Sequence, residues 1–309
     1  MKLAATKRSF FRALVFIGAA VFFPPLELFA QDTDTPAQDA ATAMRNNDFG
    51  QAIDDYTQII QGNPQDATAY FQRAFAYVKA SEDEKAIADL TQAIQIRPDY
   101  TQAYYRRSFI YMIEGKYDLA TADLSQAIQI NPQFAQAYHR RACVEMLTGK
   151  DDLAIADLDR VIQIDPTFSQ AYVRRSYALM LKGDYARALQ AMNEILLANP
   201  KASGTYNRMA WLRATCPDAS FRDGKKAVES GTTACQLTEW RRSPQIDTLA
   251  AAYAEAGDFA NAVKCEKLAL AATSDPETSD AQKSRLALYE ANKTYHVDKY
   301  IPHFEATIN

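Results

Sequence analysis

Small and helix-breaking residues recur along this chain every 34 residues, between two stretches of amphipathic pattern. Alanine follows that step at Ala52, Ala86, Ala120, Ala154 and Ala188. Within each period, apolar or small residues stand three or four positions apart in two separate segments. That spacing places them on one face of an α-helix. The pattern predicts two amphipathic helices in each period.

The breaks between these helices repeat with the same step. Prolines that would end the second helix stand at Pro64, Pro98, Pro132, Pro166 and Pro200. Glycines that would form the turn between the helices stand at Gly115, Gly149 and Gly183. A tyrosine precedes a small residue by four positions in the first helix of four periods, as in Tyr104 and Ser108. The chain is therefore predicted to be an array of helix-turn-helix units.

These residues resemble the tetratricopeptide repeat, whose pattern is a large residue at position 4, a small one at 8, Ala at 20 and Pro at 32. Setting Pro64 to position 32 gives repeats at 33–66, 67–100, 101–134, 135–168 and 169–202. The first repeat lacks the tyrosine at position 4, and we expect it to be a polar N-terminal cap.

The pattern shifts after residue 202 and then resumes. We expect two further repeats within 203–276, with an extended loop at 216–224. Residues 277–309 are predicted to form a capping helix, over 280–292, and an extended tail. The predicted fold class is all-α, and the resemblance implies a right-handed superhelical solenoid of about seven helix-turn-helix units with a C-terminal capping helix.

The segment from Ala210 to Leu270 also resembles a C-terminal block of exported bacterial proteins of this family, through "AWLRATCPD", "RDGKKAV" and "DTLAAAYAEAGDF". The resemblance implies one folded module. Its loop contains Asp218, Arg222 and Asp223, which could form a ligand site or could cap helices and fix the loop.

The first 30 residues have the layout of a secretory signal peptide: a basic head, an apolar run over 13–23 and a small residue, Ala30, at a cleavage position. The sequence thus predicts an exported protein, periplasmic or secreted, in a bacterium. The alternative is an uncleaved anchor, although the run is shorter than the about 20 residues of a membrane span. Such an anchor would be the only contact with a membrane.

Charge and composition exclude several kinds of site. A net charge of −4 gives no basic face of the kind that nucleic-acid binding requires. The three histidines have no set of cysteines or carboxylates at metal-ligand spacing, so we expect no metal, no cofactor and no catalysis. His296 and His303 lie in the tail, where we expect them to face solvent. The four cysteines are expected to be free thiols.

Arginine at position 7 and aspartate at position 23 form two parallel series. Asp39 replaces the arginine in the first repeat, and Ala191 replaces the aspartate in the fifth. Pairing each aspartate with the arginine of the next repeat leaves neither series with a missing partner. We therefore predict ion pairs between adjacent repeats at Asp55–Arg73, Asp89–Arg107, Asp123–Arg141 and Asp157–Arg175.

A second arginine series stands at position 6, on the face that lines the concave groove in the resembled family. Aromatic residues accompany it, and that composition is typical of a peptide-binding surface. The alternative is ordinary packing between neighbouring first helices. The candidate contact residues are Phe71, Tyr105, Arg106, Phe109, His139, Arg140, Arg174, Tyr177, Arg208 and Trp211.

These observations predict a non-catalytic protein–protein interaction scaffold that binds a peptide or protein in its groove. The alternative is an envelope-associated structural or assembly factor, anchored by an uncleaved N-terminal segment. The family's carboxylate-clamp residues, Lys at position 5 and Asn at position 9, are absent, so the chaperone ligands of that clamp are not expected.

Overall fold

The computed structural model describes residues 36–298, which contain fifteen α-helices, one short 3₁₀ turn and no strand. The predicted signal peptide and His303 lie outside the described residues. The chain divides into two compact units, whose described parts are 36–149, the N-terminal unit, and 150–298, the C-terminal unit.

The N-terminal unit contains seven helices. They are α1 (Pro36–Arg45), α2 (Phe49–Gly62), α3 (Ala67–Lys79), α4 (Asp83–Ile96), α5 (Thr101–Ile113), α6 (Tyr117–Ile130) and α7 (Ala135–Leu147).

The C-terminal unit contains eight helices. They are α8 (Asp151–Ile164), α9 (Ser169–Lys182), α10 (Tyr185–Ala198), α11 (Ser203–Thr215), α12 (Gly224–Leu237), α13 (Ser243–Glu255), α14 (Phe259–Ala271) and α15 (Pro276–Glu290). The 3₁₀ turn, Ala219–Phe221, lies between α11 and α12.

The small residues of the sequence pattern are the points of closest helix contact. At positions 8 and 20 their exposure is at most 1%, as at Ala74, Ala86, Ser108 and Ala120. Larger apolar side chains such as Leu124 complete the core around them. Because no longer side chain fits between the paired helices, the 34-residue period fixes the packing. The all-α repeat solenoid is confirmed.

Position 15 of each repeat adopts a left-handed backbone between the two helices. Gly115, Gly149 and Gly183 have φ of 76°, 73° and 83°. In the first two repeats the same conformation falls on Asn47 and Ser81, with φ of 60° and 62°. Glycine takes this conformation without a steric penalty, whereas serine carries a Cβ that crowds the backbone. The turn is therefore strained at Ser81.

The last helices of the C-terminal unit pack at unusually short range. A Cβ added at Gly224, where α12 begins, would lie 2.5 Å from the backbone nitrogen of Ala256. One added at Gly231 would lie 3.2 Å from Leu249 Cδ1. Glycine at these two positions lets α12 approach the backbone of α13.

The capping helix α15 begins at Pro276, before the predicted start at residue 280, because Asp275 accepts a hydrogen bond from the Thr278 amide and caps the helix. Its buried face is polar and includes Gln282, Arg285 and Tyr289.

Arg285 holds a charged cluster in the core beneath α15. Its Nε and Nη2 atoms each donate to the Asp247 carboxylate at 2.9 Å. Glu266 is fully buried, with Oε1 at 3.5 Å from Arg285 Nε. Burial raises the pKa of Glu266 well above its usual range, Asp247 adds to the shift, and Arg285 opposes it. Glu266 therefore keeps its proton to a higher pH than a carboxyl group in water.

Among residues 36–298, none of the helices combines the length and the apolar character that crossing a bilayer requires.

Candidate partner-binding surface

Two of the position-7 arginines, Arg73 and Arg107, form ion pairs with the aspartate of their own repeat. Arg73 donates through Nε and Nη2 to Asp89 at 2.7 and 2.8 Å. Arg107 binds Asp123 in the same bidentate way, at 2.9 and 2.8 Å. The first and second helices of one repeat face each other at these positions, so the two charges meet inside the helix pair. The predicted inter-repeat pair Asp89–Arg107 is therefore wrong.

The ends of the two series also differ from the predicted pairing. Asp55 accepts from Gln51 in its own helix rather than from Arg73. Arg175, which has no aspartate at position 23 of its repeat, binds Asp159 at 3.0 Å and forms a short ion pair with Glu194. Arg73 holds Asp89, Arg107 holds Asp123, and Arg175 binds Asp159 rather than Asp157. The predicted pairs Asp55–Arg73, Asp123–Arg141 and Asp157–Arg175 are therefore also wrong.

The same arginines do join adjacent repeats, through a hydroxyl group. Arg73 Nη1 donates to Thr57 at 3.0 Å and Arg107 Nη1 to Thr91 at 2.8 Å. Arg141 Nη1 donates to Ser125 at 3.0 Å. Each acceptor stands at position 25 of the preceding repeat. The guanidiniums of Arg73 and Arg107 thus each bind the aspartate of their own repeat and a hydroxyl of the preceding one. The sequence pattern did not predict these position-25 hydroxyls as partners.

The position-6 arginines lie over aromatic rings of the preceding first helix. Arg140 on α7 lies 3.7 Å above the Tyr105 ring and 4.9 Å from the Phe109 ring on α5. Its Nη1 donates to the Tyr105 carbonyl at 2.8 Å. Arg106 on α5 lies 5.3 Å from the ring of Phe75 on α3. Three successive first helices are joined by these cation–π contacts.

Adjacent arginines on α5 have opposite electrostatic environments. Burial lowers the pKa of Arg106, and no carboxylate within residues 36–298 pairs with it. Burial also lowers the pKa of Arg140, and the positive charge of Arg106 adds to that effect. At Arg107 burial acts in the same direction, but the bond to Asp123 outweighs it, so the pKa rises. The position-7 arginine is neutralised, whereas its neighbour at position 6 is not.

The aromatic members of the candidate surface are partly buried and form its floor. The Phe71 ring lies 5.0 Å from Tyr100, and the Tyr105 ring lies 4.9 Å from Phe134. Phe109 packs against the core of the N-terminal unit. His139 is partly buried on α7. Core packing therefore describes part of their role, and the arginines provide the polar groups above them.

In the C-terminal unit, Arg174, Tyr177 and Arg208 belong to one partly buried electrostatic group. Burial and the nearby Asp151 raise the pKa of Tyr177 to about 12, although the two arginines act in the opposite direction.

Trp211 does not line an open groove, so that prediction is wrong. Its exposure is 3%, and Tyr295 lies 6.0 Å away between ring centroids. Arg285 lies 5.7 Å from the Trp211 ring. The end of the chain covers Trp211, and repeat periodicity gives no signal for that segment. His296 is exposed, as expected, and its Nε2 lies 2.7 Å from Glu255 Oε2.

The residues of the 216–224 loop have structural partners. Asp218 accepts from the Ser220 amide, and Asp223 caps α12 by accepting from the Lys226 amide. Arg222 donates to the Cys216 carbonyl at 2.7 Å and to Glu255 at 3.1 Å. Helix capping and loop fixation account for all three side chains.

The cysteines are free thiols, as predicted: Cys143 is partly buried, and Cys216, Cys235 and Cys265 are buried. Across residues 36–298, no cluster of histidine, cysteine and carboxylate side chains is arranged to hold a metal ion.

Family comparisons agree with the repeat pattern. Models described as tetratricopeptide repeat match residues 40–101 and three consecutive units, 101–134, 135–168 and 169–201. No curated protein sequence matches the chain.

Several solved structures share the fold. The C-terminal part of a TPR repeat-containing protein from Cytophaga hutchinsonii is 17% identical, with a TM-score of 0.65, over 79% of this chain and 98% of that one. A tetratricopeptide repeat protein from Parabacteroides merdae is 13% identical, with a TM-score of 0.54, over 82% and 97%. The MamA protein is 22% identical, with a TM-score of 0.51, over 56% and 98%. At these identities the likeness shows the fold alone.

Proposed function

Because the chain belongs to the tetratricopeptide repeat family, whose repeats generally mediate protein–protein interactions, we propose that it is a non-catalytic scaffold for an acidic segment of a partner protein. The binding surface is the first-helix face of the N-terminal unit, which we define as positions 5, 6 and 9 of α3, α5 and α7. Its members are Phe71, Gln72, Phe75, Tyr105, Arg106, Phe109, His139, Arg140 and Cys143.

The observation that carries this proposal is the state of Arg106 and Arg140. Each guanidinium has five N–H donors. The Nη1 atom of Arg140 donates a hydrogen bond to the Tyr105 carbonyl, and the other N–H groups of this guanidinium have no acceptor within residues 36–298. Both groups lie against rings, and a bidentate carboxylate binds a guanidinium at the edge of its plane.

Electrostatics supports the same class of partner. A partly buried cation loses hydration, and at Arg107 the carboxylate of Asp123 compensates for that loss. At Arg106 and Arg140 no carboxylate within residues 36–298 compensates for the loss, so a carboxylate from a partner gains more there than at an exposed arginine. The aromatic floor adds apolar contact area for the side chains beside that carboxylate.

A peptide array tests the proposal. Purified full-length protein is applied to immobilised peptides that differ in Asp and Glu content, each printed beside a version carrying Asn and Gln instead. We expect the acidic peptides to be selected, and we expect binding to weaken with added salt. Substituting Arg106→Gln and Arg140→Gln together should abolish the preference.

Arg97→Gln is the matched control. Arg97 also lies over a ring, that of Tyr100 at 4.5 Å, but it is exposed and outside the first-helix face. This variant removes a positive charge and should retain acidic-peptide binding. Equal binding of the acidic and amide peptides, or equal losses in the control and in the double variant, would show that the two arginines do not form the site.

We also propose that the protein is exported, because residues 1–30 have the layout of a signal peptide. Cell fractionation followed by N-terminal sequencing tests this. A soluble periplasmic or secreted product that begins near Gln31 is the expected result. An intact N-terminus in the membrane fraction would favour the alternative, an anchored envelope-associated assembly factor.

A further inference from the structure

The last described segment, residues 292–298, binds back onto the C-terminal unit. The chain reverses after α15 at Asn292, which has φ of 54°, and then runs without helix over α11 and α13. Tyr295 reaches the Trp211 ring, and His296 reaches Glu255. The Val297 amide donates to the Thr215 carbonyl at 3.1 Å. Three consecutive residues thus contact two helices that lie far from them in sequence.

The contacts are those of a bound peptide rather than of a core element. Thr215 is the last residue of α11, where helix carbonyls have no partner within the helix. The Val297 amide satisfies one of them through the main chain. The Tyr295 ring, the Trp211 ring and the Arg285 guanidinium lie within about 6 Å of one another, with Arg285 at 5.6 Å from the Tyr295 ring and 5.7 Å from the Trp211 ring. An aromatic anchor and one main-chain bond are common means of recognising an extended segment.

The surface beneath the segment is held in place by other residues. Arg222 fixes the Glu255 carboxylate from the 216–224 loop, at 3.1 Å. Asp247 fixes the Arg285 guanidinium through two hydrogen bonds. The packing of α11 against α13 holds Trp211. The Trp211 surface, defined as Trp211, Thr215, Glu255 and Arg285, therefore does not depend on the segment for its geometry.

The segment itself is weakly held. None of residues 292–298 is buried: Tyr295 and Val297 are partly buried, and His296 is exposed. Elements with few buried contacts open at a low free-energy cost compared with the core. The segment can leave while the helices beneath it stay folded.

We propose that residues 292–298 are an intramolecular ligand, and that the Trp211 surface is a second protein-binding site. It accepts an extended partner segment of the same chemistry: an aromatic residue, then a hydrogen-bond donor, then an aliphatic residue. A tethered ligand has a high effective concentration, so a partner must displace it before binding. This site lies in the C-terminal unit and is independent of the arginine surface of the N-terminal unit.

Tryptophan fluorescence of the full chain tests the proposal. The chain has two tryptophans, so in a Trp240→Phe background Trp211 is the only one. Adding Tyr295→Ala and His296→Ala should release the segment and shift the Trp211 emission to longer wavelength. A synthetic peptide with the sequence of residues 290–299 should reverse that shift saturably, and the same peptide with alanine for its tyrosine should not.

The affinity of the Trp211 surface for the same peptide gives a second measurement. The chain with an intact segment should bind the peptide on the order of tenfold or more weakly than the released variant, because only the open fraction is competent. Lys293→Ala, whose exposed side chain lies outside the contact, is the matched control and should behave as the intact chain. Equal peptide affinities with and without the segment would overturn the proposal, as would an unchanged Trp211 emission.

Hydrogen exchange on the unaltered chain covers the case in which the released variant fails to fold. We expect the Val297 amide to exchange at least tenfold faster than the amides of the α13 interior, reflecting local opening. Equal protection of the two would show that the segment is a permanent part of the C-terminal unit.

Discussion

Glu266 makes the stability of the C-terminal unit depend on pH in an unusual direction. Its carboxyl group is fully buried beside the Asp247–Arg285 pair, where a single guanidinium serves two carboxyl groups. In the folded protein it keeps its proton, whereas in the unfolded chain it loses it above its ordinary pKa of about 4.3. The folded state therefore binds one proton more than the unfolded state at neutral pH.

The sign and size of the effect follow from that proton. Stability falls with rising pH wherever the folded state binds more protons, by about 1.4 kcal/mol per pH unit for one proton. The contribution is fully present below the unfolded pKa and is lost as the pH rises above it. Between pH 5 and pH 7 the loss amounts to about 3 kcal/mol. Glu266→Gln, which keeps the shape without the titration, should remove this loss.

Urea unfolding at several pH values measures the difference. Trp211 emission in a Trp240→Phe background reports the C-terminal unit, because the Trp211 ring lies 5.7 Å from Arg285. Glu266→Gln and the parent should differ little at pH 5, and the variant should be more stable by about 3 kcal/mol at pH 7. Taking the difference removes contributions from the carboxylates elsewhere in the chain.

Glu290→Gln is the matched control, since Glu290 is exposed and pairs with Lys267 at 2.8 Å. It should leave the pH dependence unchanged. If Glu266→Gln and its parent showed parallel pH profiles, or if the variant were the less stable protein at pH 7, Glu266 would not be protonated in the fold.

Three further substitutions test the packing rules. Asp89→Asn leaves the Arg73 guanidinium without its carboxylate and should lower the free energy of unfolding by about 3 kcal/mol. The control is Asp55→Asn, at the same repeat position without an arginine, which should cost under about 1 kcal/mol. Equal costs in urea titrations would contradict the within-repeat pairing. Ser81→Gly should raise stability by about 1 kcal/mol by relieving the left-handed turn, seen as a higher melting temperature; a lower one would refute the strain. Gly224→Ala should lower the free energy of unfolding by about 2 kcal/mol or more, because the added Cβ would clash with the α13 backbone. Its control is Gly62→Ala, which has open space around the added Cβ and should not destabilise the protein.

Repeat periodicity predicted the helices because each helix pair repeats the same small residues at its contact. It could not determine which arginine meets which aspartate, because a periodic series looks the same when one member is shifted by a whole repeat. The residues at the ends of the two series indicated the wrong pairing because Arg175 and Asp55 bind other residues nearby. Arg175 pairs with Glu194, three residues after Ala191, which stands where the aspartate is missing. Asp55 accepts a hydrogen bond from Gln51, one helical turn earlier.

The site was predictable to the extent that it follows the repeat. Arg106 and Arg140 were identified from their register, and the structure separates them from the paired arginines at position 7 by their missing carboxylates. Trp211 shares the register of Phe75 and Phe109 but is covered by residues 292–298. That segment has no periodic signal, and its contacts depend on where the chain reverses after α15, which no local pattern encodes.

Pairing within the repeat also bears on how such an array can change in length. The Arg73–Asp89 and Arg107–Asp123 pairs are each complete inside one 34-residue unit, so the loss of either unit removes both charges of its pair together. Pairing across the junction would instead leave a charge stranded in the core at every new end. At the junctions before Arg73 and Arg107, the position-25 hydroxyl loses its arginine partner, and an exposed hydroxyl is readily hydrated. Duplication or deletion of either of these two units is therefore electrostatically neutral for the repeats that remain.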